Sequence, residues 1–137
     1  MIMEIVNFNI AKKLKEKGFR KPCVATYDKD GMLGYNYIQP TSIRAVGFDE
    51  CLVYSNDCVM APTISQVLKW LRDEKGIYII IQPYSTMAFE NKVAWDWSFK
   101  YKSNGAFMEH AYPSWESYET YEQTAIKAIE FVLDNLI

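Results

Sequence analysis

The sequence predicts an α+β fold: an antiparallel or mixed β-sheet of about five strands with three α-helices packed mainly on one face. Three observations carry this reading. A capped amphipathic helix at the centre runs directly into a strand, an alternating aromatic strand is followed by a hairpin signal, and an amphipathic helix closes the chain. No linker or low-complexity stretch interrupts residues 1–137, so a single domain is expected.

The first helix is predicted to start at Asn7 or Asn9, either of which can cap it, and to run to Lys17. Gly18 ends it, with Phe19 placed to turn back onto Leu14. Cys23 to Tyr27 has strand character and Asp28-Lys29-Asp30-Gly31 is a turn sequence, so Leu33 to Ile38 is expected to return as a hairpin closed by Pro40. From Thr41 to Met60 the pattern is weak. Cys51 to Tyr54 and Cys58 to Met60 are read as short strands about the turn Ser55-Asn56-Asp57.

The middle helix has the spacing of a capping box at Thr63 and Gln66, an apolar stripe of Ile64, Val67, Leu68 and Leu71, and a stop at Gly76. A strand from Ile77 to Gln82 follows, ended by Pro83. Lys92 to Lys102 alternates cleanly, with Trp95, Trp97, Phe99 and Tyr101 on one face and Asp96, Ser98, Lys100 and Lys102 on the other. Asn104-Gly105 then predicts a hairpin to Ala106–Ala111. The last helix opens on a second capping box, Thr120 and Gln123, and sets Ala125, Ile129, Val132 and Leu136 opposite a polar side of Gln123, Lys127, Glu130 and Asp134.

Half of the 137 residues are hydrophobic, enough for a real core. No apolar run approaches the ~20 residues of a membrane span, and Glu4 in the first eight residues does not fit a signal peptide, so a cytoplasmic location without membrane contact is expected. Cys23, Cys51 and Cys58 are odd in number and lack a C-x-x-C pair, which suits reduced thiols better than a disulfide framework. Net charge is -2, but residues 1–21 carry +4 and residues 109–137 carry -5. An acidic whole argues against nucleic acid, whose phosphates select a concentrated basic surface.

The segments Ala11 to Phe19, Ala61-Pro62-Thr63, Trp70 to Ile77, Thr120-Tyr121-Glu122 and Asn135-Leu136-Ile137 resemble a group of small uncharacterised proteins of Bacteroides-type gut bacteria and their prophages. The likeness covers both ends and the middle helix in the same order, and leaves Thr41 to Cys58 outside it. It consists of caps, stops and helix faces. What it implies is a prophage or mobile-element setting; it brings no assigned activity and no catalytic residues.

Candidate sites are few. The aromatic row of the long strand resembles a base-stacking platform, but three helices need a surface to pack on, and the row is read as core. His110 is the single histidine, so a Cys-His or Ser-His arrangement would have to use it. No metal is expected, because one histidine and three scattered cysteines lack the paired spacing of zinc sites, and the Asp28–Gly31 turn lacks the remaining ligands of a calcium loop. No cofactor is expected either: phosphate loops, dinucleotide fingerprints and nucleophile elbows are missing from the sequence. Interaction candidates are Tyr112, Trp115 and Tyr118, in a loop read first as a lid over the core edge, and Trp70, read as half-exposed at the margin of the middle helix. Lys12, Lys13, Lys15, Lys17, Arg20 and Lys21 form a basic patch read as a solvated helix face.

The function expected from these observations is a non-enzymatic accessory or protein-interaction module that binds a protein partner or self-associates. It rests on 21 aromatic residues in a chain without a catalytic constellation. Two alternatives are a small enzyme using His110 with a cysteine, and a nucleic-acid-binding effector acting through the basic first helix.

Overall fold

The computed structural model describes residues 4–35, 37–39, 42–84, 94–103, 106–110 and 120–137. The fold is α+β with antiparallel strand pairing throughout. Its elements gather into two compact units, residues 1–66 and 67–137, with the division one turn into the third helix. Among the described residues four helices stand where three were expected, and eight strands form three separate antiparallel sheets in place of one.

In the first unit, α1 (Phe8–Glu16) is capped by Asn7, whose Oδ1 accepts from the Ile10 N–H at 2.9 Å. Its end is a Schellman motif: the Phe19 N–H donates to the Leu14 carbonyl at 2.9 Å and the Gly18 N–H to the Lys15 carbonyl at 3.3 Å. Ile10, Ala11 and Leu14 form its buried stripe. Strands β1 (Ala25–Tyr27) and β2 (Leu33–Tyr35) pair as the expected hairpin. Its turn is held by the Asp28 carboxylate, which accepts from the N–H groups of Asp30 and Met32 at 2.8 and 3.0 Å.

The hairpin is shorter than expected. Cys23, which the register would set opposite residue 37, instead bridges Val46, exchanging backbone hydrogen bonds of 3.0 and 2.7 Å. Residues Tyr37–Gln39 form β3 and pair with β4 (Ser42–Ile43). Pro40, expected to close the hairpin, lies outside the described residues.

The segment read as a strand from Cys51 to Tyr54 is a helix, α2 (Phe48–Tyr54). Gly47 is its N-cap, and Asp49 and Glu50 place negative charge beside the positive end of the helix. Phe48, Cys51 and Leu52 recur at helical spacing, and Val53, which a half-buried strand would have put against the core, is 85% exposed. The Ser55 to Asp57 turn is present as expected, closed by the Cys58 N–H on the Ser55 carbonyl at 3.0 Å. β5 (Val59–Met60) follows and pairs with β1, giving the order β2-β1-β5. Residues 4–6 run antiparallel to 62–64, and the Val6 N–H donates to the Pro62 carbonyl at 3.0 Å.

α3 (Ile64–Lys75) opens on the reciprocal capping box: the Thr63 N–H donates to Gln66 Oε1 at 3.0 Å, and the Gln66 N–H donates to Thr63 Oγ1 at 3.1 Å. Ile64, Val67 and Leu71 are buried, as the stripe predicts.

In the second unit, β6 (Ile77–Tyr84), β7 (Ala94–Ser103) and β8 (Ala106–His110) form one antiparallel sheet in that order. Pro83 does not end the ladder but stays within it opposite Trp95. It is tolerated because β6 lies at the edge of its sheet, where an N–H directed away from the neighbour is not needed. Ser103 pairs with Ala106, which leaves a two-residue connection; Asn104 and Gly105 themselves lie outside the described residues, as do Lys92 and Ala111.

α4 (Tyr121–Asn135) is capped by Thr120, whose Oγ1 accepts from the Gln123 N–H at 3.1 Å. It lies on the aromatic face of β7: the Phe131 ring is 5.3 Å from Trp97 and 6.1 Å from Phe99, and Tyr121 meets Trp95 edge-on at 5.6 Å. The aromatic row is therefore packed against the helix. Ala125, Ile129 and Val132 are buried as expected, together with Thr124, whose hydroxyl is satisfied by the Thr120 carbonyl at 2.8 Å. Leu136 departs from the pattern. It is the C-cap residue of the helix and is 38% exposed.

Candidate functional site

Two residues at the end of α3 and two near the end of β7 are drawn together by local backbone geometry. Gly76 adopts φ +67°, the left-handed conformation that stops the helix and turns the chain into β6. The Lys102 N–H then donates to the Gly76 carbonyl at 3.1 Å, and Ile77 pairs with Tyr101. The junction sets Gly76, with Lys75 just before it in the chain, beside Lys102.

Above it lies a cavity of about 420 Å³, lined by Lys75, Ile77, Phe99, Tyr101, Lys102 and the end of α4 at Leu136 and Ile137. Ile77 and Phe99 are buried and form an apolar floor, whereas Lys75 and Lys102 are exposed at the margin. Lys75 Nζ stands 5.3 Å from the centroid of the Trp70 ring. The size and the apolar lining with a few charged groups are those of a recognition pocket. Among the described residues that line it, no side chain is a carboxylate, an imidazole or a thiol.

This pocket was not anticipated from the sequence. Gly76 announced where the helix stops, but the Ile77 to Tyr101 register is set across a long connection, and no short-range signal specifies it.

The residues singled out in the sequence fall elsewhere. Trp70 is 3% exposed, so the expectation of a half-exposed ring is corrected: it belongs to the buried face of α3, one position from Leu71. Tyr112, Trp115 and Tyr118 lie outside the described residues. His110 is the last residue of β8, at the register position opposite Phe99.

The cysteines do not form the expected set of reduced thiols. Cys51 and Cys58 are joined in a disulfide, with Cα atoms 5.6 Å apart, since α2 and its turn return the chain to β5 at bonding distance. Cys23 is buried, its Sγ–H donates to the Lys21 carbonyl at 3.4 Å, and burial pushes its pKa up to about 12. A thiol held so firmly protonated is a poor nucleophile.

The basic patch of α1 is divided among several tasks. Lys15 Nζ donates to the carbonyls of Asn56 and Cys58 at 3.0 and 3.2 Å, fastening the turn beside the disulfide. Arg20 lies over the Phe48 ring at 4.0 Å and donates to the carbonyls of Lys15 and Phe19. Lys12 covers the Phe8 ring at 4.6 Å. Lys13 and Lys17 are half-buried, and Lys21 is exposed.

Among the described residues no helix is long and apolar enough to cross a membrane, and no group of three or more His, Cys, Asp or Glu side chains is placed to hold a metal. No protein-family model matches the chain, and neither a curated protein nor a solved structure matches it.

Proposed function

We propose that the chain is a non-enzymatic interaction module, and that the pocket at the α3–β6 junction is where it binds a protein partner or a second copy. The observation that carries the reading is the lining itself. Apolar and aromatic walls with two lysines at the rim supply contact area and charge selection, the two ingredients of recognition, and among the described lining residues no carboxylate, imidazole or thiol side chain stands beside them. The enzyme alternative has lost support on its cysteine side, because two thiols are bonded to each other and the third is buried and protonated. The nucleic-acid alternative is weakened by Lys15 and Arg20, which are engaged within the first unit.

The prophage or mobile-element setting belongs to this proposal through the sequence resemblance alone. So does a cytoplasmic location, which requires the Cys51–Cys58 bond to survive or be cycled by cytosolic reductants.

The test compares the full chain with a Leu136→Trp variant, in which an exposed helix-end residue is enlarged into the pocket. Solution mass across a concentration series and capture from cell extract on both baits are the readouts. A dimer or a defined protein lost in the variant supports the proposal. A monomer at every concentration, with the same proteins retained by both baits, overturns it.

A further inference from the structure

We infer that the pocket selects an apolar group bearing a carboxylate head. The inference rests on reading the pocket as a recognition surface, and it adds the chemistry of what is recognised.

The lining divides by depth. Ile77 and Phe99, both almost fully buried, form the floor, Tyr101 is half-buried, and Leu136 opens one side. An apolar body placed there leaves water for hydrocarbon and ring contacts. Among the described lining residues the charged side chains are Lys75 and Lys102, both cationic and both exposed. Lys102 stands beside the helix stop, since a Cβ built on Gly76 would lie 3.8 Å from Lys102 Cβ, and Lys75 directly precedes Gly76 in the chain. Two lysine side chains on flexible stems, lining a pocket with an apolar floor, fit a head group that stays hydrated at the mouth while its body enters.

The kind of anion follows from what else reaches the mouth. α3 and α4 both arrive by their C-terminal ends, at Lys75 and Leu136, so their carbonyl-rich termini add negative potential there. Phosphate sites are built from helix N-termini, amide nests or arginine forks, none of which is among the described residues lining this cavity. A singly charged carboxylate needs only the two lysines. The competing account is that Lys75 and Lys102 serve only to neutralise those helix ends. It predicts an effect of their removal on stability and none on binding.

Decanoate, kept below its micelle-forming concentration, is the first probe, with decanol as the uncharged control, both measured by calorimetry on the full chain. Saturable one-to-one decanoate binding is expected, weakened about tenfold in the Lys75→Gln, Lys102→Gln double variant while decanol binding is unchanged. Leu136→Trp should abolish both. A peptide ending in Leu-Leu with a free carboxylate, compared with its amide, separates the sources of this chemistry. Decanoate alone assigns a free acid, and displacement of decanoate by the free-carboxylate peptide only assigns the end of a partner protein. The inference is overturned if neither probe saturates, if the double variant binds decanoate like the wild type, or if binding survives Leu136→Trp. Those failures leave a partner captured through the pocket standing, so the two proposals fail separately.

Discussion

The Lys102 N–H donates to the Gly76 carbonyl at 3.1 Å, and this single backbone bond ties the stop of α3 to the last residue but one of β7. Gly76 holds φ +67°, and a Cβ there would meet Lys102 Cβ at an ordinary contact distance of 3.8 Å. The penalty of a side chain is therefore conformational rather than steric. Gly76→Ala is expected to lower stability by about 1–2 kcal/mol, the cost of left-handed backbone for an L-residue. Chemical denaturation of both proteins checks the magnitude, and an unchanged midpoint would contradict it.

Gly31 differs in kind. It also has positive φ, +79°, but a Cβ would come within 2.5 Å of the Phe8 ring. That ring is held between Lys12 at 4.6 Å and Tyr27 at 5.4 Å, so it yields only by giving up both contacts. Gly31→Ala is expected to cost more than Gly76→Ala. Removing the ring as well, in Gly31→Ala with Phe8→Ala, should show favourable coupling in a double-mutant cycle, leaving about 1–2 kcal/mol of backbone strain.

The Cys51–Cys58 disulfide closes a short loop, seven residues apart in sequence, and restricts the unfolded chain. Reduction, or the Cys51→Ser, Cys58→Ser variant, should lower stability by about 2–3 kcal/mol in the chain-entropy account. Lys15 holds the carbonyls of Asn56 and Cys58, so hydrogen exchange should rise first in α2 and its following turn. Equal melting with and without dithiothreitol would show that the bond contributes nothing.

Cys23 links stability to alkaline pH. Burial raises its pKa from 9.0 to about 12, so the folded state keeps a proton that the unfolded chain releases. The stabilisation is complete below pH 9 and is lost as pH rises from 9 towards 12. Tyr27 titrates in the same direction, raised by burial and by Tyr35 nearby, and its hydroxyl donates to the Val6 carbonyl at 2.6 Å. Urea unfolding at pH 7 and pH 10.5 should show a decline for the wild type that is shallower in Cys23→Ala. A decline of identical slope in the two proteins would remove Cys23 from the explanation.

What could be read in advance was local. The Asn7 cap, the Schellman end at Gly18, the Asp28 turn and the Thr63–Gln66 box each depend on groups a few residues apart, whose hydrogen bonds form wherever the rest of the chain lies. The alternation of β7 was legible for the same reason, since a period of two needs only the strand itself. Cys51 to Tyr54 reads as a strand because Cys51-Leu52-Val53-Tyr54 has strand-forming composition, and helical spacing emerges only when Phe48 and the Gly47 cap are counted with it.

The sequence by itself determined the α+β class, the stops of α1 and α3, the starts of α3 and α4, and which face of β7 is aromatic, because each is encoded in short-range periodicity and capping. Only the tertiary structure decided the sheet partners, the Cys51–Cys58 bond and the pocket between Lys75 and Lys102. Those depend on which distant segments meet. Pairing β6 with β7, or bringing one thiol to another, is chosen by the summed burial of many side chains against the entropy of closing a loop, and no single residue announces it.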